Sequence, residues 1–210
     1  MRKVIEVFRA VTRELESHAD ELGRLDAEAG DGDLGVTATN ASAAIVEVLS
    51  SFDGNDLADL LSECGTAVSR KAPSTAGTLL ATGLMGAGRT ARSTSSLGAQ
   101  LLAELLEAAR EAISARGKAE PGAKTMIDAL APASVAAGVI AREGGSISDV
   151  LIAASIASDE GTRATATMVP RFGRASWLPE RAAGHEDAGA RMISIVLAAA
   201  ANANESHKES

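Results

Sequence analysis

The sequence predicts an all-α protein, and three observations predict it. Of the 210 residues, 44 are alanine, the strongest helix former. Aromatic residues make up 2% of the chain, with one Trp, three Phe and no Tyr, so the side chains that β-sheets favour are scarce. Apolar residues recur at helical spacing in segment after segment, with Gly, Pro, Asp and Ser between them. An all-β sandwich is excluded. The length suits a single domain over residues 1–210, able to bury a core without disulfide or metal staples.

Eight helices are expected, packed as a bundle or barrel. They cover 3–21, 36–51, 55–71, 76–92, 98–116, 123–142, 147–168 and 187–204. Gly23 follows the first and Gly35 precedes the second. Asp53-Gly54, Pro73, Gly98, Gly122 and Gly144-Gly145 separate the next five boundaries in turn, and Pro170 closes the seventh helix. Ser146-Ile-Ser-Asp149 places a capping serine three residues before an acidic one, close to a capping box. The last ten residues, ending Glu-Ser-His-Lys-Glu-Ser, lose the apolar period and are expected to fray. Three connections are longer than the rest: Gly23–Gly35, Gly117–Gly122 and Pro170–Gly189. Function is sought there.

The formal charge of −8 leaves no electrostatic footprint for nucleic acid or an anionic membrane surface. Cys64 stands alone, which excludes an intramolecular disulfide and a CxxC metal site. The amino end has no apolar signal region and no run of eighteen apolar residues occurs. A cytoplasmic protein, neither secreted nor membrane-spanning, is expected.

The first long connection carries Asp26, Asp31 and Asp33 among Gly30, Gly32 and Gly35. Three carboxylates this close repel one another unless a cation neutralises them, and oxygen donors favour Mg²⁺ or Ca²⁺ over zinc. The same residues also suit a turn that caps the next helix. A calcium loop of the EF-hand type starting at Asp31 needs Glu eleven residues later, where Ser42 stands. Magnesium, which completes its shell with water and phosphate oxygens, fits two or three carboxylates better.

Gly117-Lys-Ala-Glu-Pro-Gly-Ala-Lys-Thr125 carries two lysines just before a helix, a place that attracts anions. It is not a P-loop, because Ala123 follows Gly122 where the lysine belongs. Taken alone, the loop is better read as a plain helix–helix turn with solvated lysines. Pro73-Ser-Thr-Ala-Gly77 offers two hydroxyls at a helix start, for phosphate or for capping. The stretch from Gly173 to Gly189 holds the single Trp, an arginine suited to phosphate (Arg174), and Asp187 with Gly189 at the last helix start. His185 reads as a surface loop residue. No Ser/His/Asp or Cys/His constellation points to a nucleophilic hydrolase.

Together, Gly-Asp-Gly-Asp at 30–33, Arg-Gly-Lys-Ala-Glu-Pro-Gly-Ala-Lys-Thr-Met at 116–126 and Gly-Arg-Ala-Ser-Trp-Leu-Pro-Glu-Arg-Ala-Ala-Gly-His-Glu-Asp-Ala-Gly-Ala at 173–190 form a set. The chain resembles the L subunit of bacterial dihydroxyacetone kinase, collinearly over nearly its whole length. The resemblance implies an antiparallel barrel of eight helices with a nucleotide–metal site in the loops at one end. It implies two Mg²⁺ held by Asp26, Asp31 and Asp33 and bridging the phosphates of ADP or ATP. It places Gly117 and Met126 against adenine and ribose, with Arg174 and the Asp187-Ala188-Gly189 turn completing the site. A ketose-binding K subunit is the implied partner. Some relatives exchange ADP for ATP, and others are rephosphorylated by a phosphotransferase-system subunit. A homodimer is expected.

The chain departs from the family pattern at two loops. Leu34-Gly35-Val36-Thr37 stands where the family has His-Gly-x-Asn, and Pro73-Ser74-Thr75-Ala76-Gly77-Thr78 where it has Gly-Gly-x-Ser-Gly-Pro. Ala76 replaces a phosphate-contacting serine, and Ser74 and Thr75 are candidate substitutes. Two readings follow: a ketose-kinase subunit, or a non-catalytic ADP–Mg-binding regulatory subunit. A lipid-carrying barrel ranks below both.

Overall fold

The computed structural model describes residues 1–92, 97–177 and 179–206. Among these residues every regular element is helical: α1 (Arg2–Ser17), α2 (Ala19–Ala29), α3 (Leu34–Ser51), α4 (Leu57–Lys71), α5 (Thr75–Ala91), α6 (Ala99–Gly117), α7 (Ile127–Arg142), α8 (Ile147–Ala164), α9 (Pro179–Ala182) and α10 (Ala188–Ser206). Short 3-10 turns cover Thr165–Thr167 and Arg174–Trp177. The all-α expectation holds.

The helix count is corrected from eight to ten. The first expected helix breaks at His18, whose backbone N–H still bonds the Glu14 carbonyl, and the chain restarts as α2. Much of the expected Gly23–Gly35 loop is therefore helix. Its irregular part shrinks to Gly30–Asp33, which puts Asp26 on a rigid element. Helix α9 is the second addition, inside the Pro170–Gly189 connection. Helix α10 continues to Ser206, so residues 201–206 keep the helix where fraying was expected; 207–210 lie outside the described residues.

The long helices pack in a cyclic succession: α1 on α3, α3 on α4, α4 on α5, α5 on α6, α6 on α7, α7 on α8, α8 on α10, and α10 on α1. Small residues bring neighbours close. A Cβ on Gly86 in α5 would stand 2.7 Å from Ala112 Cβ in α6, so the two backbones pack without side-chain bulk between them. In α7, Pro132 offers no N–H to the Asp128 carbonyl. Helix α8 approaches there, since a Cβ on Gly161 would overlap the Asp128 carbonyl oxygen. The Ser146–Asp149 capping box forms as expected.

The main core joins Leu15, Leu22, Leu34, Ile127, Val150 and Met192 among many alanines. A second cluster gathers Ile45, Leu60, Cys64 and Val68. Among the described residues no helix is long and apolar enough to cross a membrane.

Candidate functional site

Asp26 lies near the end of α2, and Asp31 and Asp33 lie on the four-residue link to α3. One carboxylate oxygen from each lies within 4.8 Å of the others. Capping of α3 accounts for one carboxylate oxygen of Asp26 and not for Asp33. Asp33 is the N-cap residue of α3, yet its side chain makes no capping bond; the first amide of the helix, Leu34 N–H, donates instead to Asp26 Oδ2 at 3.3 Å. Burial and the neighbouring Asp26 carboxylate push the Asp33 carboxyl above its usual range. Three oxygen donors with mutual repulsion fit a hard divalent cation.

Two helix starts meet beside this cluster. Ser74 caps α5 by accepting from Gly77 N–H at 3.0 Å, and the same hydroxyl accepts from Thr37 Oγ1 at 2.8 Å. Thr37 is in the first turn of α3, so its hydroxyl binds the two helix starts together. Leu34 points into the core and Gly35 is packed on α2, where a Cβ would overlap the Ala19 carbonyl oxygen. Val36 and Thr75 face solvent, and Ala76 is half-buried against the core.

The third connection reaches over the acidic link. Arg174 forms an ion pair with Asp31, and Arg181 donates to the Ala27 carbonyl at 2.9 Å. Asp187 caps α10, its Oδ2 accepting from Ala190 N–H at 2.8 Å. Burial pushes the Asp187 carboxyl up to about 7, against the Ala190 hydrogen bond and the Lys124 charge; Asp128 and Asp26 add to the rise. Ala188 is buried, and a Cβ on Gly189 would stand 3.5 Å from Met126 Cβ. Met126 is itself buried at the start of α7, and Gly117 ends α6 beside Leu79. The structure thus gathers the acidic link, the α3 and α5 starts and the Arg174 segment, with Gly189 close to Met126 alongside.

One sequence reading is overturned. Lys124 is not a solvated lysine: it is 3% exposed, whereas Lys118 is exposed. Asp128 was missed. It is buried and accepts from Gly122 N–H and, at 2.8 Å, from Thr125 N–H. The signal was present, because Thr125-Met-Ile-Asp128 has the spacing of a capping box.

The DAK2 domain model matches residues 28–202. The chain belongs to the DAK2-domain family. Its resemblance to the L subunit of dihydroxyacetone kinase is upheld by a relative of similar length. This DAK2 chain is 30% identical over 181 residues to the PEP-dependent dihydroxyacetone kinase ADP-binding subunit DhaL of Escherichia coli, covering 86% of each chain. It is 33% identical over 196 residues to D-erythrulose kinase of Mycolicibacterium smegmatis, covering 92% of this chain and 34% of that one. The dihydroxyacetone kinase of C. freundii, solved in complex with AMP-PNP and Mg²⁺, superposes with a TM-score of 0.78 at 26% identity. That match covers 96% of this chain, which spans about a third of the larger kinase.

Proposed function

We propose that the chain is the nucleotide-binding subunit of a dihydroxyacetone-type kinase. It transfers a phosphoryl group from a Mg-bound adenine nucleotide, ATP leaving ADP, to a small ketose, dihydroxyacetone or a close relative, held on a separate K subunit. The observation that carries the reading is the three-carboxylate cluster of Asp26, Asp31 and Asp33 beside the joined starts of α3 and α5. The cyclic packing of the long helices supports an antiparallel barrel forming one domain over 1–210, with the site in the loops at one end.

In this reading Asp26, Asp31 and Asp33 hold two Mg²⁺. When bound, the ions neutralise phosphate charge and stabilise the charge that develops in transfer. The first-turn amides of Gly35 and Val36 in α3 and of Thr75 and Ala76 in α5 face the phosphates, as helix starts do for anions, with Leu34, Thr37 and Ser74, whose own amides bond Asp26, Asp33 and Ala72, lining the same loops. Arg174 exchanges its bond to Asp31 for one to phosphate. Gly117, Met126, Asp187, Ala188 and Gly189 border the base and ribose. The attacking hydroxyl belongs to the ketose, which the K partner holds, so activity requires that partner and no side chain of this chain acts as nucleophile. ATP or a phosphotransferase-system subunit supplies the phosphoryl group. A cytoplasmic homodimer without nucleic acid or membrane contacts completes the proposal.

The second reading is a non-catalytic ADP–Mg-binding regulatory subunit. It is favoured by Leu34, whose side chain is in the core, and by Thr37, whose hydroxyl bonds Ser74. One experiment separates them. The purified chain is mixed with a K subunit, dihydroxyacetone or erythrulose, ATP and Mg²⁺, or with a phosphotransferase donor in place of ATP. Phosphorylated ketose supports the kinase; tight ADP–Mg binding without turnover in either mixture supports the regulatory subunit.

A further inference from the structure

Lys124 lies in the turn between α6 and α7 with its ammonium enclosed. Its Nζ donates to the Thr165 carbonyl and to the His185 carbonyl, both at 2.6 Å. These acceptors stand at opposite ends of the connection that carries Arg174 and leads to Asp187. Its backbone is left-handed, φ 56°, a conformation strained for a residue with a Cβ. Burial pulls the Lys124 pKa below its ordinary value, although Asp187 and Asp128 oppose this. A buried cation in a strained turn costs stability unless its hydrogen bonds are worth more. The same seam is closed by Arg171 N–H to the Ala123 carbonyl at 3.1 Å and by Asp187 N–H to Thr165 Oγ1 at 2.8 Å.

We infer that Lys124 is a positioning residue that fixes the Asp187–Gly189 turn against Met126, and thereby sets the nucleoside half of the site independently of the phosphate half. The inference rests on the nucleotide-binding reading above. Its physical basis is separation of tasks. Phosphates follow the metal to the acidic link, which Lys124 does not touch. The nucleoside is left to the wall where Met126 meets Gly189, and Lys124 holds the two sides of that wall together.

The test uses the full chain, with calorimetric titration of Mg–ADP and of Mg–tripolyphosphate, and amide hydrogen exchange over 184–189 without ligand. K124M is expected to weaken Mg–ADP at least tenfold, to leave Mg–tripolyphosphate within twofold, and to speed exchange at 185–189. K124R, which keeps the charge and the donors, stays within threefold of wild type for both ligands. Unchanged Mg–ADP affinity in K124M, or equal loss for both ligands, overturns the inference. If K124M does not fold, K124Q, a shorter neutral side chain that cannot bridge the Thr165 and His185 carbonyls, must give the same split between ligands; no split overturns the inference. If wild type binds no Mg–ADP, the nucleotide reading fails by itself. Exchange at 185–189 in the variant then decides whether Lys124 holds the turn.

Discussion

Thr37 donates its hydroxyl to Ser74 across 37 positions of sequence at 2.8 Å, and this bond joins the starts of α3 and α5 next to the three aspartates. Thr37 is 4% exposed, so its hydroxyl has little access to water. Removing Ser74 takes away a helix cap worth about 1 kcal/mol and leaves a buried donor unmatched for roughly another 1–3 kcal/mol. S74A is therefore expected to unfold several degrees below wild type, by thermal melting. T37V/S74A should be less destabilised than the sum of the single variants, because each removes the other's partner. Strict additivity would show that the bond does not form in solution.

Gly35 sets the distance between α2 and α3. A Cβ there would overlap the Ala19 carbonyl oxygen, which belongs to helix backbone and cannot turn aside. G35A should cost about 1–3 kcal/mol in urea unfolding. Because α2 carries Asp26, the same substitution should also weaken Mg–ADP in calorimetry. Wild-type stability in G35A would contradict the close approach.

The Arg174–Asp31 pair is partly solvated and contributes at most about 1 kcal/mol to stability. Its effect should appear in binding instead. R174M should leave the melting temperature within about 2 °C of wild type. It should bind Mg²⁺ alone more tightly, because a competing cation has left Asp31, and bind Mg–ADP more weakly. A fall in both affinities would argue against exchange of Arg174 between carboxylate and phosphate.

Cys64 is fully buried, and burial, with Glu63 nearby, pushes its thiol from 9.0 up to about 12. It should resist thiol reagents at pH 8 in the native protein and react at once in urea. The sign of its pH effect follows. A raised pKa stabilises the fold below about 9, and that contribution is lost as pH rises towards 12. C64A should show a shallower alkaline decline than wild type over that window.

The helical class and most helix positions were legible, because alanine abundance and apolar spacing act locally along the chain. The three aspartates were legible too, since the acidic link brings Asp31 and Asp33 together with few intervening residues. Their clustering with Asp26 needed α2, which the sequence reading dissolved into loop because Gly23 looked like a stop. Packing on α3 through Gly35 explains why the helix continues past it. Lys124 was misread for a different reason. Its partners, the Thr165 and His185 carbonyls, are backbone groups 41 and 61 residues away, and no side-chain pattern announces a carbonyl acceptor. The Thr37–Ser74 bond was equally invisible, as capping alone suits Ser74 and Thr37 lies 37 positions away in sequence.

If the acidic link holds nucleotide through divalent metal, ADP affinity must depend on both the metal and Asp31. ADP is titrated calorimetrically into wild type and D31N, each with Mg²⁺ and with EDTA. Wild type should bind ADP with Mg²⁺ and lose at least a hundredfold in affinity with EDTA, while D31N, still folded by circular dichroism, should lose most of the Mg²⁺-dependent part. Equal ADP affinity in wild type and D31N, or affinity indifferent to EDTA, would show that the three aspartates do not hold nucleotide through metal.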